Sequence, residues 1–225
     1  MATRPTVIAF DVIETLFPLE PLRQRLVDAG QPGHLLEVWF TRLLRDAFVL
    51  VATDDYRPFR AIAESALRVT APEPIDDGAV GTILAGFGEL DPHPDVAPAM
   101  QRASEAGIRM VTLTNGSAQN TAKLLQRAGV DGLIEQVLSV DDVRRWKPAP
   151  EIYHHAVTST GVTPDQVALV AAHAFDTHGA HNAGLTTGWV ARLEREYQAV
   201  FSPPDVTGDD LVSVIDALLA LPPAE

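Results

Sequence analysis

Val7-Ile8-Ala9-Phe10-Asp11-Val12-Ile13-Glu14-Thr15-Leu16 is the stretch on which the reading of the fold turns. Pro5 bounds it, β-branched and aromatic residues fill its first half, and the apolar run stops at a carboxylate. That is the pattern of a buried parallel strand opening into a loop. An aspartate at the carboxyl end of the first strand of an α/β sheet faces the crevice where such sheets take their ligands, so Asp11 is a candidate nucleophile or metal ligand. The same position also suits an aspartate that caps the following turn, and position alone leaves both readings open.

Outward from this strand the pattern turns helical. Pro18 to Ala29 reads as a helix closed by Gly30, His34 to Val51 as a long amphipathic helix and Tyr56 to Val69 as a third. A Pro-rich break over 71–78 follows, then a weaker helix from Ala79 to Phe87. From Val96 the chain alternates: a helix to Ala106, the strand Ile108–Leu113, a helix over Ala118–Ala128 stopped by Gly129, and a short strand Val137–Val140. A helix over Glu151–Thr160, the strand Val167–Ala171, a helix over Asp176–Ala183, the strand Thr187–Ala191 and a terminal helix Asp209–Leu221 complete it. Strands alternating with helices predict an α/β fold with a doubly wound, parallel, Rossmann-like sheet. The expected organisation is a core of residues 1–16 and 93–225, with residues 17–92 inserted after strand one as a helical cap.

Composition removes several classes of function. The 225 residues include no cysteine, which excludes disulfides, thiolate metal sites and cysteine nucleophiles and leaves carboxylate, hydroxyl and imidazole chemistry. A net charge of -13 argues against a nucleic-acid partner, which needs basic surface, but not against a small anionic substrate held by a few local cations. No apolar run approaches about 18 residues and no basic segment precedes an apolar one, so no membrane span or signal peptide is predicted and a cytoplasmic protein is expected.

Four segments converge on one edge of such a sheet: Asp11 after strand one, Thr114-Asn115 after strand two, Lys147 ahead of a helix, and Ala172-His173-Ala174-Phe175-Asp176 after strand four. With these in order, the sequence resembles the haloacid dehalogenase (HAD) superfamily over nearly its whole length. It is most similar to the L-2-haloacid dehalogenases through Phe10-Asp11-x-x-x-Thr15-Leu16-Phe17, Leu113-Thr114-Asn115, Arg145-Trp146-Lys147-Pro148-Ala149-Pro150-Glu151-Ile152-Tyr153 and Val170-Ala171-Ala172-His173-Ala174-Phe175-Asp176. The resemblance implies a catalytic group of Asp11, Thr15, Lys147, His173 and Asp176, with Val12, Ile13, Arg42, Thr114, Asn115 and Phe175 around substrate and halide. It implies no metal and no cofactor. Asp11 would attack the halogen-bearing carbon, water would hydrolyse the ester, and Lys147 would keep Asp11 ionised. Glu37-x-x-x-x-Arg42 matches the family's cap pattern, so Arg42 would receive the halide with Asn115 and Phe175; an Arg42–Asp46 pair on the helix surface is the alternative.

The departures from the pattern carry chemistry too. Superfamily phosphatases place an aspartate two residues after the nucleophile to protonate a poor leaving group; here that residue is Ile13, and the last motif offers Ala171 and Ala172 where further acids would sit. A halide leaves unprotonated, so Ile13 is tolerable for carbon–halogen chemistry and unfavourable for phosphate esters. His173 stands where the dehalogenases carry an asparagine, Glu14 where they carry a glycine. The expected function is therefore metal-independent hydrolysis of a short 2-haloalkanoic acid to the 2-hydroxy acid. The alternatives are a phosphatase acting on a small metabolite and a catalytically silent carboxylate-binding homologue. Acidic charge and the short cap also permit a homodimer.

Overall fold

The structure is a computed structural model that describes residues 2–194 and 196–223. In chain order the elements are β1 (Val7–Phe10), α1 (Pro21–Asp28), α2 (Leu35–Ala52), α3 (Phe59–Thr70), α4 (Asp77–Ala85), α5 (Val96–Glu105), β2 (Arg109–Thr114), α6 (Ala118–Ala128), β3 (Gln136–Ser139) and α7 (Val140–Val143). They continue with α8 (Pro150–Thr160), β4 (Val167–Ala171), α9 (Ala174–Asn182), β5 (Thr186–Val190), β6 (Val206–Gly208) and α10 (Leu211–Leu219).

The six strands form one parallel sheet in the order β3-β2-β1-β4-β5-β6. Every residue of β1, β4 and β5 is buried, because helices cover both faces of a doubly wound sheet and no polar alternation is needed. β1 lies at the centre, with Phe10 opposite both Thr112 and Val170. The chain turns from β1 to β2 and β3 on one side, then crosses to β4 on the other. The crevice beyond the carboxyl ends of β1 and β4 is thus the topological switch point, the place where such sheets bind ligands.

Helices α1–α4 occupy the segment between β1 and α5. The Leu16 carbonyl accepts a hydrogen bond from the His93 N–H at 2.9 Å, so this segment leaves the sheet and returns to it at neighbouring points. Its interior is built on Trp39, Leu43, Ile62, Leu67 and Ile83, all buried. A chain of aromatic contacts ties it to the sheet: Trp39 meets Phe87 edge-on at 5.6 Å, Phe87 meets Phe59 at 4.9 Å, and Phe59 stacks on Trp146 at 6.0 Å. Trp146 in turn donates its indole N–H to the Arg57 carbonyl at 2.9 Å. No described helix is long and apolar enough to cross a membrane.

The parallel sheet and the helical segment follow the expected order, with two elements added. β6 pairs with β5 in a segment where no strand is predicted, because three residues of edge strand carry no periodicity. The single turn α7 is created by Ser139, whose hydroxyl accepts from the Asp141 N–H while Asp142 accepts from the Ser139 N–H.

Gly179 lets α9 lie tightly against the start of α8: a Cβ there would stand 2.5 Å from the Tyr153 hydroxyl and 2.6 Å from Pro148 Cβ. Gly179→Ala should cost about 1–3 kcal/mol through overpacking, read as a lower denaturant midpoint with an unchanged slope.

Candidate active site

Loops at the carboxyl ends of β1, β2 and β4, together with the segment that leads into α8, bring the charged residues together. Asp11 follows the last residue of β1 directly, and its side chain is 9% exposed. The Lys147 ammonium is fully buried, 3.0 Å from Asp11 Oδ1 and 2.7 Å from Asp176 Oδ2. The Thr15 hydroxyl donates to Asp11 Oδ2 at 2.6 Å and accepts from the Ala172 N–H at 2.9 Å, joining the β1 loop to the β4 loop. Asp176 sits in the first turn of α9, and its other oxygen accepts from the Tyr153 hydroxyl at 2.7 Å. The imidazole of His173 donates through Nε2 to Glu14 Oε2 at 2.9 Å, while its Nδ1 lies 3.7 Å from Asp11 Oδ2, an ion-pair distance too long for a hydrogen bond.

The charges set one another. Burial opposes ionisation of Asp11, but the Lys147 ammonium, then His173 and Thr15, hold its carboxyl well below the ordinary 3.8. Burial would push the Lys147 ammonium toward neutrality, and Asp11 and Asp176 instead hold its pKa above the ordinary 10.5. For Asp176, burial outweighs the pull of Lys147 and, with repulsion from Asp11, raises its pKa. Burial also works against a charged His173, yet Asp11 and Glu14 push it from 6.5 up to about 10, so it is an imidazolium at neutral pH.

A cavity of about 20 Å³ lies over Asp11, lined by Ile13, Phe40, Leu44, Phe59, Trp146 and Phe175 with the polar Thr114, Asn115 and His173. A single water needs about 10–15 Å³, so the space admits only a small group. Thr114 Oγ1 accepts from the Gly116 N–H at 2.9 Å, and Asn115 Oδ1 accepts from the Lys147 N–H at 3.2 Å. The N–H groups of Val12, Ile13 and Asn115 meet no protein acceptor among the described residues. They offer donors for an anionic group beside the two loops. Among the described residues no three His, Cys, Asp or Glu side chains are arranged to hold a metal ion. Instead, one ammonium bridges the two central carboxylates.

The family profile described as "Hydrolase: haloacid dehalogenase-like hydrolase" matches residues 5–184. The chain belongs to the haloacid dehalogenase-like hydrolases. Haloacetate dehalogenase H-2 of Moraxella sp. is 26% identical over 223 residues, covering 95% of this chain and 96% of that protein. The (S)-2-haloacid dehalogenase of Xanthobacter autotrophicus is 29% identical over 195 residues, covering 84% and 76%. Among solved structures, an L-2-haloacid dehalogenase at 28% identity superposes with a TM-score of 0.90 over 98% of this chain and 100% of the other. The L-2-haloacid dehalogenase from X. autotrophicus with chloropropionic acid covalently bound shares the fold, with a TM-score of 0.88 at 23% identity over 96% and 99% of the two chains.

In this haloacid dehalogenase-like hydrolase, ten of the eleven residues singled out from the sequence gather around Asp11 or its loop. Arg42 does not, and the assignment of a halide-binding guanidinium to it is corrected. Its Nε donates to Asp46 at 3.0 Å, one turn along α2, and it does not line the cavity. At roughly 100° per residue, the α2 stripe that faces Asp11 runs through Phe40 and Leu44, and Arg42 sits roughly on the opposite side. Phe48, next on that stripe, meets Phe175 edge-on at 5.1 Å. Sequence reasoning also passed over Glu14, Phe40, Leu44, Phe59 and Tyr153 as site residues. The i, i+4, i+8 spacing of 40, 44 and 48 was the available signal for the α2 stripe; for Glu14 it was the carboxylate at a glycine position.

Removing the shared cation exposes what it balances. Lys147→Met should destabilise the fold by about 3–5 kcal/mol at neutral pH, because two buried carboxylates then face each other, and the loss should shrink under mildly acidic conditions that protonate one of them. His173 gives a pH signature of the opposite sign. The folded state holds its proton more tightly than the unfolded chain, so its contribution is complete below its ordinary 6.5 and is lost as pH rises toward about 10. The thermal-stability advantage of the wild type over His173→Asn should therefore narrow steadily across that window.

Proposed function

We propose that this protein hydrolyses short 2-haloacids by a metal-independent route through an ester on Asp11. The observation that carries the reading is a buried, ionised Asp11 at the floor of a small, largely aromatic cavity, with Ile13 where a leaving-group acid would stand. Lys147 keeps Asp11 anionic, and burial strips it of the water that would blunt a nucleophile. Displacement at carbon expels the halide on the side away from Asp11, toward Phe40, Leu44, Phe59 and Phe175. Thr114 and the N–H groups after β1 and β2 suit the substrate carboxylate. The helical segment 17–92 acts as the cap that closes the reaction off from solvent.

The second half-reaction uses His173. While Asp11 is a carboxylate, it helps to hold the proton on the imidazolium. Esterification abolishes that charge, so the proton on His173 is held less tightly and can leave. The neutral imidazole can then take a proton from the water that attacks the Asp11 carboxyl carbon. Lys147 lies beside an Asp11 oxygen on which negative charge develops.

The small cavity favours the shortest haloacids, haloacetates ahead of 2-halopropionates. Halide release from chloroacetate should be abolished in Asp11→Asn, and single turnover in 18O-water should place label in the Asp11 carboxylate. No release from a panel of short haloacids would sink the proposal. Ile13→Ala should shift kcat/KM toward 2-halopropionate and 2-halobutyrate by about 10-fold or more, the effect of a methylene in an apolar pocket.

A further inference from the structure

Glu14 stands on the loop beyond β1 with φ 66°, the left-handed conformation that favours glycine. Its N–H donates to the Phe17 carbonyl at 2.7 Å, which anchors the loop, and its Oε2 accepts from His173 Nε2 at 2.9 Å. The imidazole lies between Phe40 at 6.3 Å and Phe175 at 5.2 Å, so α2 and α9 set the plane of the ring. With Nε2 on Glu14, Nδ1 is turned to Asp11 Oδ2 at 3.7 Å. Among the described residues the charged groups that face the ring are Asp11 and Glu14; Lys147 stands on the other oxygen of Asp11. A carboxylate only accepts, and a neutral imidazole carries a single N–H. Beside Glu14 that hydrogen belongs on Nε2, which leaves Nδ1 bare on the side of the reacting carboxyl group.

We propose that Glu14 is a positioning residue for ester hydrolysis: by holding the Nε2–H of His173 it fixes the tautomer in which Nδ1 is the base for the attacking water. The inference deepens the dehalogenase reading of the same site and rests on it. Asp11 and His173 line one cavity of about 20 Å³, room for a single water in reach of both. A base whose second nitrogen is held by a third group is the arrangement that activates a nucleophile in hydrolytic triads. Attack of Asp11 on carbon forms the ester O–C bond, breaks the carbon–halogen bond and releases halide with no proton transfer. The ester is uncharged, so Nδ1 gives its proton to solvent water, the one proton released per turnover, while Nε2 keeps its own against Glu14. Bare Nδ1 takes a proton from water as the oxygen bonds to the Asp11 carboxyl carbon. Collapse breaks the bond from that carbon to the alkyl oxygen, and Nδ1 returns the proton to the departing alkoxide. The carboxylic acid left on Asp11 then protonates Nδ1, restoring the carboxylate and the imidazolium.

Asp11→Asn places an uncharged side chain where the ester would be, and in that variant the ring nitrogens of His173 can be followed by 15N NMR. The chain has seven histidines, and His173 is the one whose signals vanish on adding His173→Asn. Neutral His173 should carry its proton on Nε2, and adding Glu14→Gly should move its titration to lower pH by about one unit or more, because the carboxylate favours the imidazolium. A proton on Nδ1, or a titration that Glu14→Gly leaves in place, overturns the proposal. Glu14→Gly in the otherwise wild-type enzyme relieves the left-handed backbone and opens a space beside a second cavity of about 300 Å³, through which formate can enter. With chloroacetate, its ester on Asp11 should hydrolyse about 100-fold more slowly, with the acid limb of the hydrolysis rate at lower pH than in the wild type. Added formate should restore both the rate and the limb. Hydrolysis at the wild-type rate overturns the proposal, as does a slow variant whose limb stays in place and which formate does not help, the result of a purely structural role. Absence of halide release and of ester in the wild type would remove the dehalogenase reading and this inference with it, even where the nitrogen spectra place the proton on Nε2.

Discussion

A fully buried lysine ammonium lies between two buried carboxylates, and the arrangement of the sheet edge follows from the need to keep it there. Moving an ion of this size out of water costs several kcal/mol even after relaxation, so Lys147 is tenable only while Asp11 and Asp176 stay within 3.0 and 2.7 Å. Those contacts come from three separate parts of the chain: the end of β1, the segment before α8 and the first turn of α9. The remaining lone pairs are met by Thr15 on Asp11 and Tyr153 on Asp176. One cation cannot serve two carboxylates equally. Asp11 also has His173 and Thr15, so it is the one held ionised, while burial and the neighbouring charge raise the pKa of Asp176.

Around that charged floor the walls are aromatic. One set of contacts runs from Trp39 through Phe87 and Phe59 to Trp146, and a second from Phe48 through Phe175 and His173 to Phe40. Both join the helical segment to the loops and helix starts at the sheet edge. Their large buried area steadies the segment above Asp11, and their apolar surface keeps the local dielectric low, which strengthens every charge interaction beneath. Packing and electrostatics are therefore one device here. The helices that fill the hydrophobic core also close a cavity of about 20 Å³ over the Asp11 carboxylate.

Much of this was legible along the chain. The apolar run into Asp11, the Gly129 helix stop and the alternation of strands and helices after Val96 specify the parallel sheet, because each is a local pattern with a fixed period. Strand order then places Asp11, Thr114, Lys147 and Asp176 at one edge, since parallel strands all end on the same side. The α2 contact was not legible in the same way. Arg42 and Phe40 are two residues apart on a helix that is apolar over much of its circumference, so the face turned toward Asp11 depends on how α2 rests on α3 and on His173 and Phe175. Nor was β6, whose three residues pair only because β5 leaves an edge free.

By itself the sequence determined the fold class, the central strand, the carboxylate–lysine–carboxylate set and the family, since these rest on local periodicity and on ordered motifs. Only the tertiary structure decided which side of α2 meets the site, that Glu14 holds His173, and how little room lies over Asp11. These depend on contacts between residues distant in the chain, such as Glu14 with His173 and Phe40 with His173, whose geometry is set by the packing of whole elements.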